Sequence, residues 1–404
     1  MQFDIFFSIS QTPVDGHVPS ERQMFVNAFD QLQAADELGY GVAWFAESHL
    51  SSEVQKRNAR PVIPHWKGEV GLNANFLDLA TRGMARTQRI EFGSAVMNIV
   101  CMGGPLAHAE RIASTLTLHG LDSAEQRRFH VGFSAGRFPY MNEASGIRPR
   151  DAVEQAAWPA LRGLIFREAC EIFLRGLRGD EFSSDAIPPT VLTRAHFRSD
   201  ADWQQVLAAH GRPTDAIPVA PRWPFETLKV IPQEWRRELL NLVIGSHEPD
   251  LQEHVNTLYP VQVFNLSITA PAVIEDTHRR MQRAYHPAGG PWRREYMPRT
   301  SFVFLNETPG WSPERKRAAA RDEARQALAA YWTALEGTID PTRIEGAAEN
   351  ALVGDAEQVA EQIRARFHPD DRLMLWFDFF NHDSARVIRN MRDFMEHVAP
   401  RVNP

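Results

Sequence analysis

Glu47, Ser48 and His49 follow directly on the apolar run VAWFA at 42–46. A carboxylate and an imidazole at the carboxyl end of a strand can orient a flat ligand or move a proton, because histidine titrates near neutrality. The same two groups also read as a structural hydrogen-bonded pair. A second polar cluster, Gly245-Ser246-His247, ends the apolar stretch 240–245, and Pro249 opens a helix beyond it. Backbone N–H groups at a helix start, with a hydroxyl beside them, suit a phosphate. The alternative there is an ordinary N-cap by Ser246. Asn98 is a lone amide inside the apolar run 90–100, either a ligand contact or a satisfied core amide. Small residues, Gly93-Ser94-Ala95 and Gly132 to Gly136, end two strands and let a flat ligand approach the backbone, though tight packing explains them equally well. Asn265, Ser267, Asn306 and Asp378 end or line later strands, and the sequence does not orient them.

The element that must position most of these groups is residues 89–137. Ile90 to Val100 reads as a strand buried on both faces. Pro105 suits the first turn of a helix carrying Ala109, Ile112, Ala113 and Leu116, and a second strand begins at Phe129, Val131 and Phe133. Such a strand–helix–strand unit is parallel and nearly fixed in hand. The pattern continues on both sides. Strands are expected at 3–9, 42–46, 240–245, 261–268, 301–305 and 373–379. Helices are expected from Ser20 to Leu38 and over 151–175, 273–284, 313–335 and 385–398, with another beginning at Asp355. Strands thus alternate with helices eight times, which predicts an α/β fold, an eight-stranded parallel β/α (TIM) barrel. Long connections at 51–75 and 176–238 read as insertions after strands two and four, within one domain covering 1–404. In a barrel, polar residues at the strand ends meet in one mouth. There is no G-x-G-x-x-G, which argues against a Rossmann domain.

Apolar content of 43% and charged content of 24% are those of a soluble globular protein. The net charge of −7 disfavours a nucleic-acid surface. Cys101 and Cys170 are the two cysteines, too few for a disulfide framework or a zinc-like cluster, and no metal site is expected. No apolar run reaches membrane-spanning length and the start does not read as a signal peptide, so a cytoplasmic protein without a membrane partner is expected.

The stretch 89–137 resembles the bacterial luciferase-like flavin-dependent monooxygenases. Its matching residues are Gly93, Ser94 and Ala95 on one strand, Pro105, Ala109 and Glu110 at the helix start, and Gly132 and Gly136 at the next strand end. The N-terminal strand, the A-W-F-A-E-x-H strand, the G-D-A-E-Q-V-A-E helix and the closing helix to Pro400 resemble the same family. The resemblance implies a barrel that binds flavin mononucleotide (FMN), reduced by a separate flavin reductase, with dioxygen as co-substrate and a small organic molecule as the compound oxygenated. A homodimer is expected with it. Within the resemblance, Ala95 and Val96 match a strand pair joined by a cis peptide under the flavin ring, and Gly245, Ser246 and His247 match the phosphate turn. Two positions depart from the pattern. Ser48 stands where luciferases carry the first of two histidines, so a base at that position does not carry over and any base is His49 or another group. Ala135 stands at the phosphate-binding arginine, with Ser134 before it, and Arg137 is the guanidinium nearest to take its place. Trp66, Trp203, Trp223 and Phe225 in the long connections either roof an apolar cavity or anchor loops. The competing functions are a hydride-transfer oxidoreductase using the related deazaflavin, and a non-catalytic flavin-binding partner subunit.

Overall fold

The computed structural model describes residues 1–337 and 348–403. Its strands are β1 (Gln2–Phe7), β2 (Val42–Phe45), β3 (Glu91–Asn98), β4 (Phe129–Ser134), β5 (Thr190–Thr193), β6 (Ala216–Val219), β7 (Leu240–Ile244), β8 (Val261–Val263), β9 (Arg299–Leu305), β10 (Leu352–Gly354) and β11 (Arg372–Trp376). Nine of them form one parallel sheet in the order β10-β9-β11-β1-β2-β3-β4-β7-β8. The sheet curls back on itself just past β8. There Asn265 bridges to Arg299, its N–H donating to Pro298 O at 2.9 Å and its C=O accepting from Thr300 N–H at 3.1 Å. β11 takes one side of β9, so Asn265 and β10 share the other.

The eight strand positions read from the sequence are all occupied by strands, but the sheet has nine. The addition, β10, is three residues long and has no period to betray it. The strand expected at 261–268 stops at Val263, because Asn265 onward turns to meet β9. The stretch 176–238 reads from the sequence as an insertion, not a separate domain. It holds the antiparallel β5–β6 hairpin with the helix Asp200–His210 between its strands. Leu192, Trp203, Val206 and Ile217 from this stretch are buried in the same core as the helices around the sheet.

Strand alternation divides the apolar residues into two sets. Ala43, Phe45, Phe92, Phe129 and Phe133 face outward into the layer of helices. Phe6, Val42, Trp44, Val243, Phe264 and Met374 face inward and pack on one another. Two inward positions must be glycine. A Cβ on Gly93 would lie 2.3 Å from the Trp44 indole, and one on Gly132 would lie 2.1 Å from Ser94 O. The first helix, Glu21–Leu38, starts where Ser20 accepts from Gln23 N–H and stops at Gly39 in the left-handed region (φ 86).

At the amino end of the strands the interior is polar. Asp4 is fully buried, accepting from Val42 N–H at 3.1 Å and from the Trp44 indole N–H at 2.8 Å, with Arg372 Nη1 at 3.4 Å. Nearby, His130 Nε2 lies 2.6 Å from Glu91. Burial raises the Asp4 pKa, and Arg372 and the Trp44 hydrogen bond work against the rise. This carboxylate thus fixes the rotamer of Trp44 and the start of β2 together. Asp4→Ala removes one member of a buried ion pair and orphans two donors, so it should cost about 3 kcal/mol of stability in urea unfolding. Asp4→Asn, which keeps an acceptor, should cost less. An unchanged midpoint for Asp4→Ala would show that the pair does not anchor the sheet.

Candidate active site

The carboxyl ends of the strands surround a trough. β3 is a central strand, yet Ala95 and Val96 are half-buried between fully buried neighbours. Ala46 and Ser134 are half-buried as well, and Gly245 is exposed. A Cβ on Gly245 would meet Ser134 Cβ and Val96 Cγ2, both at 3.3 Å. The ends of β3, β4 and β7 therefore converge on a surface with almost no side-chain bulk, and the Ala95–Val96 peptide within it is cis. Four places away in the strand order, β9 and β11 supply aromatic rings instead. Phe302 lies 5.0 Å from Trp376 and 4.2 Å from Phe379, and Trp376 lies 4.6 Å from Phe6. Tyr331 lies 5.2 Å from Phe379 and 6.3 Å from Trp66, which brings the 51–75 connection over this wall.

Several polar atoms at the mouth are sealed from solvent and have no hydrogen-bond partner: both amide atoms of Asn265, Trp376 Nε1, Asp378 Oδ1 and the Tyr140 hydroxyl. Buried polar groups are normally paired, so such a cluster marks a place where a ligand or water completes the bonding. Burial pushes the Asp378 carboxyl up to about 7, with the neighbouring Trp376 indole N–H holding it down slightly.

Glu47 and His49 are brought together, with His49 Nε2 3.3 Å from Glu47 Oε1, and both are buried. Glu47 continues the outward register of Ala43 and Phe45, and its Oε2 accepts from Phe76 N–H at 3.1 Å, at the start of the helix Phe76–Met84. Burial opposes the charged form of His49, but the Cys101 sulfur and the Glu47 carboxylate outweigh it and push the ring up to about 9. The ring therefore holds its proton at neutral pH, where the sequence reading had a neutral base. Beside it, burial and the Arg111 guanidinium push His108 down to about 3, and its Nε2 lies 3.1 Å from Cys101 O.

Asn98 is a satisfied amide. It donates to Asn142 Oδ1 at 2.7 Å and accepts from Val100 N–H at 3.1 Å. Ser134 Oγ accepts from Gly136 N–H at 3.1 Å. Arg137 is exposed and lines a cavity of about 250 Å³ together with Ala135, Gly136 and Arg162. Burial raises the Tyr331 phenol pKa, and Arg137 beside it works against that rise. The Gly245-Ser246-His247 turn departs from the N-cap reading of it. The Gly245 N–H donates to Phe133 O at 2.8 Å, so it is not free for a phosphate. Ser246 Oγ accepts from Glu248 N–H at 3.3 Å, and Glu248, not Ser246, precedes the helix Pro249–Val255. His247 Nε2 lies 3.3 Å from Thr269 Oγ1. Of the four loop aromatics, Trp66 reaches the mouth. Trp203 is core, Trp223 packs on Gly104, and Phe225 packs on Phe182.

Of these unpartnered groups, Trp376 was not named from the sequence, while Asn265 and Asp378 were named there without an orientation. A signal was present: in the run LMLWFDF, a period of two puts Asp378 on the face of Met374 and Trp376. Among the described residues no group of three or more His, Cys, Asp or Glu is placed to hold a metal ion, and no helix is long and apolar enough to cross a membrane.

The family model described as luciferase-like monooxygenase matches residues 1–220, and the chain belongs to that family. No curated protein matches it. Among solved structures it is similar to the monooxygenase RslO1 from Streptomyces bottropensis, at 19% identity and a TM-score of 0.67, covering 99% of each chain. The oxygenating constituent of 3,6-diketocamphane monooxygenase from Pseudomonas putida, in complex with FMN, is similar at 15% identity and a TM-score of 0.58, over 99% of this chain and 98% of that one. An F420-dependent secondary alcohol dehydrogenase is similar at 13% identity and a TM-score of 0.57, over the same shares. At these identities the likeness is one of fold.

The His49 pKa, raised above its unfolded value of 6.5 to about 9, stabilises the fold fully below pH 6.5, and that contribution is lost as pH rises through about 9. Urea unfolding at pH 6 and pH 9.5 should show wild type losing a few kcal/mol. Glu47→Gln should lose much less over the same interval. Equal losses in both proteins would show that the pair is not the source.

Proposed function

We propose that this member of the luciferase-like monooxygenase family takes reduced FMN from a separate reductase and uses dioxygen to oxygenate a small organic substrate. The observation that carries the reading is the bare trough at the ends of β3, β4 and β7, with unpartnered buried polar atoms around it. A planar ring system needs such a surface, since a large side chain at Gly245 would occupy it. Ala95, Val96, Ser134 and Gly245 would hold the ring, and Arg137 with Arg162 the phosphate. Reduced flavin, when bound, supplies the electrons with which dioxygen is activated. The chain's own contribution is binding, orientation and a water-poor wall of aromatic rings. His49 acts as a fixed cation behind β3, holding Glu47 and the Cys101 loop in place.

The reading includes a single domain on an eight-strand barrel closed at Asn265, with insertions after β2 and β4, a homodimeric state and a cytoplasmic location. Support for FMN comes from the fold shared with the FMN-bound diketocamphane enzyme. The shared fold of an F420-dependent dehydrogenase makes a deazaflavin oxidoreductase the second reading.

The deciding experiment supplies FMN and a flavin reductase aerobically with a panel of lipophilic aldehydes, aromatics and thioethers, and reads incorporation of one oxygen atom by mass. Tight binding of reduced F420 with weak binding of FMN would favour the second reading. FMN binding without turnover on any substrate would favour the partner-subunit reading. Gly245→Phe should fold like wild type, because the position is exposed and not left-handed, yet weaken FMN binding by more than about tenfold by filling the trough. Wild-type FMN affinity in that variant would place the flavin elsewhere.

A further inference from the structure

One wall of the mouth enters the flavin reading only as a water-poor surface, with no ligand contact assigned to it. It is built from Trp376, Phe302 and Phe379, with Tyr331 and Phe380 above it. Phe302 and Phe379 are buried behind the wall, while Trp376, Tyr331 and Phe380 keep solvent-facing surface. Two polar atoms interrupt it. Trp376 Nε1–H is a donor and Asp378 Oδ1 an acceptor; both atoms are sealed from solvent, and although the indole lies close enough to the carboxyl to hold its pKa down, no well-aligned hydrogen bond satisfies either atom.

We propose that this wall is the substrate side of the site and that the substrate is a planar aromatic compound carrying a hydroxyl, held between Trp376 Nε1–H and Asp378 Oδ1. This rests on the flavin reading, which assigns the bare side of the trough to the coenzyme. The argument is one of donors and acceptors. A hydroxyl is both, so it satisfies the indole N–H and the carboxylate at once. A carbonyl can only accept and leaves an ionised Asp378, the dominant form at pH 8, unpaired. An ammonium can only donate and leaves Trp376 unpaired. An anionic substrate is disfavoured, since no charged side chain acts on Asp378 to neutralise its own charge. The rings around the pair favour a flat apolar body by stacking and edge contacts.

The test is equilibrium dialysis of the full-length protein, without flavin, at pH 8 against 2-naphthol, 2-methoxynaphthalene and 2-naphthylamine. The methyl ether keeps the ring but has no donor. Wild type should bind 2-naphthol about tenfold more tightly than the ether. Asp378→Leu should bring that ratio to about one, and Trp376→Phe should lower it in part. Asp378→Asn, which keeps an acceptor oxygen, should retain some of the preference and guards against a folding defect in the leucine variant. Equal affinity of wild type for naphthol and ether, or a ratio unchanged in Asp378→Leu, overturns the inference. A preference for the amine over naphthol overturns it too. FMN titration of the same proteins separates the two claims. Normal FMN binding with no naphthol preference leaves the flavin reading intact. A naphthol preference with no FMN binding removes the flavin reading and leaves an aromatic site.

Discussion

The structure turns on how closely β3 and β4 approach each other at Ser94 and Gly132. With a Cβ on Gly132 the backbone carbonyl of Ser94 would be 2.1 Å away and Val96 Cγ1 2.7 Å away. No other residue type fits there, and the regular pairing of the two strands breaks between Ser94 and Met97 at the same level. Because β3 leans in at this point, Ala95 and Val96 surface inside the mouth instead of packing under it. The trough, the meeting of Val96 with Ser134 and Gly245, and the position of Asn98 against Asn142 all follow from that approach. The polar floor at Asp4 and Arg372 plays the complementary part, holding the other end of the strands in register.

Much of this was legible in the sequence. Each of the eight strand positions was marked by an apolar run with a turn signal after it, and the small residues at Gly93–Ala95 and Gly132–Gly136 marked the trough. What escaped was short or local. β10 is three residues, below the length at which any period shows. The β5–β6 hairpin has strands of four residues and a proline at Pro218. Asp378 carried a period-two signal, but an acidic residue at the end of a strand is common enough that burial alone distinguishes it. The orientation of Glu47 was legible by the same counting from Ala43 and Phe45.

The Glu47–His49 pair joins chain segments as well as charges. A buried imidazolium beside a carboxylate that also caps the helix Phe76–Met84 links three elements: the end of β2, that helix and the Cys101 loop. Loss of either charge leaves the other uncompensated in a low-dielectric setting, which makes the pair a structural link between these elements.

The bridge at Asn265 has a mechanical meaning. Around most of its circumference the sheet is held by ladders of several bonds, but between β8 and β9 the joint is the two backbone bonds of a single residue. A cylinder made of staves yields first at its thinnest joint, so outward breathing of the wall is cheapest there. Asn265 is also the residue whose side-chain amide is left wholly unpaired. A ligand that hydrogen-bonds that amide would act as a rivet, and the stiffness of the wall would then depend on occupancy.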